Sequence, residues 1–241
     1  MKIKEIQKNG YEIDNLHDRD YFSFKAVSSH SMIDVIKSDY DVEIASKPKD
    51  LPQRSLEMGS IIHGAILEPE RIDEIVQENY TSLQMPEDMG TLLKMLYASI
   101  NNDEIRNCLK TTRNELTLLH TRDNLASIKG KTDAIDIEKG VIYDVKSISR
   151  LKYRKSHIRN FGYNFQGALY TRLAELVYGK PFDFVWWFVS KDLGEIAIEE
   201  YQKKDEHLEA IRKAIEAFDY FNKDVKFDEF PTEKKPTVSL F

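Results

Sequence analysis

The sequence predicts an α/β fold in which a mixed central β-sheet is flanked by helices. Helical patterns dominate the first 110 residues, three consecutive strand patterns follow, and a helix, two strands and a last helix complete the order. Strands interleaved with amphipathic helices are typical of layered α/β architectures. We therefore expect one domain over residues 1–241, with a mostly helical part (1–110) packed on a sheet core (115–200) and a peripheral tail (222–241).

Composition excludes several classes of protein. With 241 residues, of which 41% are hydrophobic, the chain is long enough to form a proper core. It contains no apolar stretch of 18 residues and no signal-peptide hydrophobic region near the N-terminus, so we expect no membrane span and a cytoplasmic protein. The single Cys108 excludes a disulfide framework and a four-cysteine zinc site.

Capping and breaking residues delimit the N-terminal helices. The sequence predicts, in order, a short helix capped within residues 28–31 and running to 36, a loop over 41–54, a helix over 56–67 ended by Glu68-Pro69, a helix over 85–100 and a third helix capped by Asn102. Serine and asparagine side chains accept hydrogen bonds from free amide groups at helix starts, and proline stops the preceding helix.

The second half predicts the sheet and its covering helices. The expected elements are a strand over 115–120, a turn at 122–124, strands over 129–137 and 140–148, a helix over 162–178, a strand over 182–189, a turn at 192–194, a strand over 195–200 and a helix over 203–221. The strand over 182–189 is apolar at every position except Asp183, so we expect it to be central and covered on both faces. Because Trp186 and Trp187 lie inside this apolar run, core or subunit-interface packing is favoured over base stacking. Only one of the two can point to each face of the strand.

The strands over 129–137 and 140–148 form a hairpin that concentrates charge. With a loop of residues 138–139, Asp133 lies opposite Asp144, and with a loop of residues 139–140 it lies opposite Lys146. Both registers place the three side chains on one face, because side chains alternate with period two, whereas a three-residue loop would turn Asp133 away. Directly opposed Cβ atoms lie about 4.5–5.5 Å apart, so two carboxylates can share one cation. The alternative is a surface hairpin with a cross-strand salt bridge.

A block of positive charge begins at the end of this hairpin. The chain as a whole has a net charge of −6, but residues 145–174 contain no acidic residue. The basic residues of this block are Lys146, Arg150, Lys152, Arg154, Lys155, Arg159 and Arg172. A block of one sign beside an acidic site indicates a phosphate-binding surface, and the alternative is a merely solvated segment.

Four features occur in a distinctive order along the chain. They are a helix bearing Gly-Ser-x-x-His63 and then Leu-Glu-Pro-Glu, a strand bearing Asp133, the triplet Asp144-Val145-Lys146, and a helix bearing Gln166-x-x-x-Tyr170. This ordered set resembles the PD-(D/E)xK nuclease superfamily and, within it, the lambda-exonuclease-like group of RecE-type phage exonucleases and their RecB-type relatives. The resemblance covers roughly residues 28–189 and implies a restriction-endonuclease-like core.

The resemblance implies a metal centre. Asp133, Asp144 and the main-chain carbonyl of Val145 offer the oxygen ligands that Mg²⁺ prefers. His63 is implied as a further ligand, and an imidazole ligand would make Mn²⁺ an effective substitute. Glu115 resembles an upstream acid that some members place near the metals, and the alternative is a surface glutamate at the start of a strand.

The other implied site residues would act on water and DNA. Lys146 would position or deprotonate the attacking water, or neutralise charge that develops on the phosphate. Gln166 and Tyr170 share one helix face and would orient Lys146 or bind a backbone phosphate, while Tyr170 could instead pack at the helix–sheet junction.

The resemblance places three further residues near the DNA. Ser147 and Arg150 follow the triplet and would lie near the next phosphate. Lys131 stands where many relatives carry arginine, which keeps the charge but loses a bidentate phosphate contact. The five remaining histidines have no comparable context, and we expect them to be structural or on the surface.

The leading functional prediction from this resemblance is a metal-dependent exonuclease that degrades one strand of double-stranded DNA from its end, most simply 5′ to 3′. The resemblance also implies a ring-shaped homo-oligomer and a partner that anneals the remaining single strand in recombination, in a bacterial host or encoded by a prophage. The alternatives are an endonuclease or repair nuclease on the same fold, and a DNA-binding module without catalysis.

Overall fold

A computed structural model describes residues 1–14, 16–24, 26–47, 52–79, 87–123 and 125–222. Its elements in chain order are β1 (Lys2–Gln7), β2 (Gly10–Asp14), α1 (Asp18–Ser23), α2 (Ser29–Lys37), α3 (Val42–Ala45), α4 (Gln53–Leu67), α5 (Ile72–Asn79), α6 (Glu87–Asn101), α7 (Asp103–Leu109), β3 (Arg113–Arg122), β4 (Leu125–Asp136), β5 (Val141–Ile148), α8 (Arg154–Phe161), α9 (Tyr163–Tyr178), β6 (Asp183–Ser190), β7 (Ile196–Glu200) and α10 (Asp205–Phe221). Most of the predicted tail, residues 223–241, lies outside the described residues.

The seven strands form one sheet in chain order, from β1 to β7. Every neighbouring pair is antiparallel except β5 and β6, which are parallel. A parallel pair needs a long crossover, and the chain between them, which includes α8 and α9, supplies it. The mixed sheet flanked by helices confirms the predicted fold class.

The strand β6 is not central in the sheet, contrary to the prediction, but lies next to the edge strand β7. All its residues after Asp183 are buried, which confirms the prediction that both faces are covered. Trp186 is 2% exposed and packs with the hydrophobic cluster that includes α9, while Trp187 is fully buried in the second cluster, which includes α4. Trp187 stacks on Tyr143 with ring centroids 4.7 Å apart. Core packing of both tryptophans is therefore confirmed.

Two predicted helix caps agree with the structure, and the start predicted at residue 85 lies outside the described residues. The Ser28 hydroxyl accepts a hydrogen bond from Ser31 N at the start of α2, and Ser31 Oγ accepts one from Ser28 N in return. The Asn102 side chain accepts a hydrogen bond from Ile105 N at the start of α7. The helix predicted over 56–67 begins three residues earlier, at Gln53.

The N-terminal part differs from the prediction. The first 110 residues are not only helical, because β1 and β2 form a hairpin that extends the sheet alongside β3. The exposure of β1 follows no strict alternation, so its charged sequence carries no clear strand period. The segment 41–54, predicted as a loop, contains the short helix α3, with the Asp41 carboxylate as its cap. Residues 48–51 of that segment lie outside the described residues.

Among the described helices, none combines the length and the apolar character that a membrane crossing needs.

Candidate active site

The hairpin of β4 and β5 has one of the two predicted registers. Ala134 pairs with Tyr143 and Asp136 with Val141, and residues 137–140 form the turn. The turn closes through a 2.9 Å hydrogen bond from Gly140 N to Asp136 O. Continuing the register by one pair places Asp133 opposite Asp144, as predicted for a loop of residues 138–139.

The two strands separate immediately beyond this pairing. Past Ala134, β4 pairs only with β3, and β5 continues to pair with β6. Side chains then bind the main chain of Val145: its N–H donates to Asp133 Oδ2 at 2.7 Å, and its carbonyl oxygen lies 2.7 Å from His63 Nε2. The fork between β4 and β5 thus brings together the helix α4 and both acidic strands.

The hydrogen bond to Val145 selects one tautomer of His63. A carbonyl oxygen only accepts, so Nε2 carries the proton and the Nδ1 lone pair is free in the neutral ring. Burial, assisted by the Lys146 ammonium, lowers the pKa of His63 and favours that neutral ring. Nδ1 lies 3.4 Å from Asp133 Oδ2. Two acceptors at this distance repel each other unless a proton or a cation lies between them.

Glu115 completes a cluster of three ligand atoms. One ligand atom each from His63, Glu115 and Asp133 lie within 4.8 Å of one another. Glu115 falls opposite Asp133 in the β3–β4 register, and its φ of 51° is left-handed inside a strand. Such a backbone is strained for a residue other than glycine, and strain of this kind concentrates at functional sites. Burial and the Asp133 carboxylate raise the pKa of Glu115 to about 7.

Asp144 and Lys146 form a buried ion pair beside this cluster. Lys146 Nζ lies 2.6 Å from Asp144 Oδ2, and Gln166 Nε2 donates a hydrogen bond of 3.1 Å to Asp144 Oδ1. Burial raises the pKa of Asp144 to about 6, against the opposing effect of Lys146. Burial alone would lower the pKa of Lys146, but Asp144 and Asp133 outweigh it and raise that pKa. The structure thus brings Asp133, Asp144 and Lys146 together, as the strand pattern predicts.

Two residues predicted to contact DNA have protein partners in the structure, and their DNA contacts stay predictions. The Tyr170 hydroxyl donates a 3.1 Å hydrogen bond to Lys131 O, and its ring packs edge-on against Phe184 at the helix–sheet junction. Lys131 Nζ forms ion pairs of 2.7 Å with Asp18 and 2.8 Å with Glu115. Lys131 therefore holds the Glu115 carboxylate in position and ties α1 to the sheet.

The remaining predicted contacts lie at the edge of the site. Ser147 alternates to the face opposite Lys146, and a Cβ added to Gly59 of α4 would lie 4.0 Å from Ser147 Oγ. Arg150 forms an ion pair of 3.1 Å with Asp192. The phosphate contacts foreseen for both residues stay predictions.

Three site residues were missed by sequence reasoning. Asp18 reaches Lys131 from α1, a helix that the sequence did not reveal. The Tyr163 ring centroid lies 5.1 Å from Lys146 Nζ. Surrounding protein atoms and the Lys146 ammonium lower the pKa of His30, so this histidine at the start of α2 lies within the electric field of the site. Its position in the first turn of a predicted helix was the only available signal.

A cleft opens beside the cluster. It has a volume of about 670 Å³, and its lining includes Glu115, Lys131, Arg71 and His17. A larger cavity of about 800 Å³ is lined by residues of α8, β7 and the start of α10, and includes none of the cluster residues. Of these two cavities, the smaller cleft is the one that borders the cluster, through Glu115.

Comparison with known proteins gives one family and several structures. Residues 29–226 match the family described as "PDDEXK-like domain of unknown function (DUF3799)". No curated protein matches the chain. A Eubacterium rectale structure named "Putative exonuclease" superposes with a TM-score of 0.65 at 17% identity over 91% of each chain, which shows a shared fold. A phage related exonuclease from Haemophilus somnus 129PT has a TM-score of 0.43 at 13% identity, over 85% of this chain and 96% of its own.

Proposed function

Because this chain belongs to the PDDEXK-like family, as its resemblance to PD-(D/E)xK nucleases predicted, we propose that it is a metal-dependent deoxyribonuclease that removes nucleotides from an end of double-stranded DNA. The observation that carries the proposal is the convergence of His63, Glu115 and Asp133 beside the Asp144–Lys146 pair. The fold shared with a protein named as an exonuclease supports the end-dependent form.

The donor set fits a divalent cation. It combines two carboxylates with an imidazole whose Nδ1 lone pair is free, and those carboxylates have pKa values raised by burial. Carboxylate oxygens suit Mg²⁺, and the imidazole extends the fit to Mn²⁺. A cation held there supplies positive charge to the scissile phosphate and makes a water molecule more acidic.

Asp144 and the Val145 carbonyl are the other proposed ligands. Both are engaged by protein groups: Asp144 by Lys146 and Gln166, and the carbonyl by His63. Each of these oxygens keeps a further lone pair, so each can also face a cation. Gln166 and His63 would then fix the orientation of these oxygens.

Lys146 is the residue that we assign to the chemical step. Its ammonium is held in the site by Asp144, and its raised pKa keeps it protonated at neutral pH. A protonated lysine can donate a hydrogen bond to a lone pair of the attacking water and so orient it. It can also neutralise charge that builds up on the phosphate. These two roles are favoured over proton abstraction, which needs an uncharged amine.

The direct test uses linear duplex DNA labelled at the 5′ or the 3′ end, incubated with the protein and Mg²⁺. We expect mononucleotides to be released first from the 5′ label. Asp144→Ala and a covalently closed circle serve as controls, and we expect neither to give product. Full activity of Asp144→Ala would overturn the site assignment.

The same experiment separates the alternatives. Cleavage of the closed circle would replace the exonuclease by an endonuclease or repair nuclease on the same fold. If the protein binds DNA but does not cleave it in Mg²⁺ or Mn²⁺, the result supports the alternative of a DNA-binding module without catalysis.

The biological setting that we propose follows from the resemblance alone. The enzyme would form a ring-shaped homo-oligomer, and the single strand that it leaves would pass to an annealing protein for recombination in a bacterial or prophage context. Sedimentation of the purified protein tests the oligomer, because a monomer at micromolar concentration would contradict it.

A further inference from the structure

A line of aromatic rings leads outward from Lys146. The Tyr163 ring centroid is 5.1 Å from Lys146 Nζ, and the Phe161 ring stacks on Tyr163 with centroids 5.8 Å apart and planes inclined by 26°. The His157 ring meets Phe161 edge-on at 4.9 Å. We call Tyr163, Phe161 and His157 the aromatic ladder, and we infer that it binds the bases of an unpaired DNA strand at the active site.

The chain holds the ladder in place at the junction of α8 and α9. Gly162 adopts a left-handed φ of 76°, which ends α8 and allows α9 to begin immediately. A Cβ at this position would come within 2.9 Å of Ile33 on α2, so the junction packs closely on that helix. Lys37 Nζ, also on α2, donates a 2.8 Å hydrogen bond to Asn160 O. The rings are thus attached to packed helices.

The outer part of the ladder is open to a ligand. Phe161 is 50% exposed, although burial of a phenylalanine side chain stabilises a folded protein. Tyr153, the residue directly before α8, is 42% exposed and lies four residues before His157. The spacing of residues 153, 157 and 161 therefore places them along one side of this segment. Burial lowers the pKa of His157, which keeps its ring uncharged at neutral pH and suited to stacking.

Cations lie at both ends of the ladder, while Arg154 of the same segment is paired with Glu199. Residues 145–174 contain no acidic residue. Lys146 stands at the inner end, and Lys152, whose Nζ lies 5.0 Å from the Tyr153 ring centroid, stands near the outer end. Aromatic faces between cations are the features by which proteins bind single strands without sequence preference. Bases in a duplex are stacked and paired, so only an unpaired strand can offer them to these rings.

This inference deepens the proposed function and rests on it, since the strand bound by the ladder is the one that Lys146 would act on. The test measures binding of a fluorescent single-stranded oligonucleotide and of the matching duplex, in chelator so that no cleavage occurs. We expect Phe161→Ala to weaken single-strand binding about ten-fold, the size of one lost stacking contact, and to change duplex binding much less.

Three matched variants make the test specific. Phe161→Trp keeps a π-face and should retain binding, whereas Phe161→Leu keeps an apolar side chain and should fail like alanine. Phe221→Ala removes a phenylalanine of similar exposure, 53%, from the end of α10 and should bind like the wild type. A 2-aminopurine base in the oligonucleotide should lose fluorescence on binding to the wild type and keep it with Phe161→Ala.

The outcomes separate this inference from the proposed function. If the wild type cleaves DNA but Phe161→Ala and Phe161→Leu bind the single strand as well as it does, the ladder inference is wrong and the nuclease stands. If the wild type cleaves nothing in Mg²⁺ yet the ladder variants lose single-strand binding, the proposed function fails and the binding surface stands. If Phe161→Ala changes the sedimentation of the protein without changing DNA binding, the ladder is a contact between copies of the chain, and the inference fails.

Discussion

Gln166 on α9 donates a hydrogen bond of 3.1 Å to Asp144 on β5, and both side chains are almost completely buried. The bond leaves Gln166 facing a proposed metal ligand, where the sequence had indicated Lys146 or a phosphate as its partner. Without this donor, only the ion pair with Lys146 would hold the Asp144 carboxylate, among the residues that the structure describes. Gln166 is therefore a positioning residue for Asp144.

The first prediction concerns this bond. Gln166→Ala should weaken Mn²⁺ binding by 10- to 100-fold, the usual effect of removing a group that orients a metal ligand. Titration calorimetry with Mn²⁺ measures it, and Gln202→Ala, at an exposed position, is the control. Equal metal affinity in both variants would show that Asp144 needs no support from α9.

The second prediction separates metal binding from chemistry at Lys146. Lys146→Met removes a cation from beside Asp144, so Mn²⁺ should bind at least as tightly as in the wild type. Cleavage of linear DNA should fall at least 100-fold, because the group that orients water or neutralises the phosphate is lost. Lys213→Met is the control, since Lys213 is an exposed lysine of α10 outside the basic block. Substantial cleavage by Lys146→Met would remove Lys146 from the mechanism.

The sequence could place the acidic pair because β-strand geometry is periodic. Asp133, Asp144 and Lys146 share a face with either two-residue loop, and only a three-residue loop would have turned Asp133 away. The apolar composition around Trp186 likewise predicts a buried strand. Both conclusions depend on local patterns, which a single sequence records.

Features that depend on distant contacts could not be predicted. The strand β1 is stabilised by pairing with β2, and its exposed charged residues carry no clear period. The left-handed backbone at Glu115 could not be predicted, because glutamate is not a residue type that favours this conformation. Asp18 reaches Lys131 across 113 residues of sequence, and only the folded sheet brings them together.

The third prediction is a pH dependence of metal binding. Burial raises the pKa of Asp144 to about 6 and that of Glu115 to about 7, so both carboxyls take up protons as the pH falls from 8 to 5.5. Protons then compete with the cation, and affinity should rise with pH up to about 7 and level off above it.

Calorimetry in two buffers of different ionisation enthalpy measures both this affinity and the protons released. The matched control is Glu115→Gln, which should shift the midpoint of the pH dependence from about 7 towards about 6, where Asp144 titrates. Affinity that is constant from pH 5.5 to 8 would place the cation away from these carboxylates.

The fourth prediction tests whether Tyr170 is structural or binds DNA. Its hydroxyl donates to Lys131 O, and its side chain is 5% exposed. Tyr170→Phe should lower the free energy of unfolding by about 1 kcal/mol, the net contribution of one hydrogen bond, and leave DNA cleavage unchanged.

The matched control for this prediction lies on the same helix. Tyr178 donates a 2.9 Å hydrogen bond to Glu12, so Tyr178→Phe should lower the free energy of unfolding at least as much and also leave cleavage unchanged, because hydrogen bonds to charged groups are stronger. Urea unfolding measures the stability of both variants, and assays on end-labelled duplex DNA measure their cleavage rates. Tyr170→Phe could instead keep the stability of the wild type but bind DNA more weakly. That result would show that the Tyr170 hydroxyl contacts a phosphate in the complex and bonds to the Lys131 carbonyl only when DNA is absent.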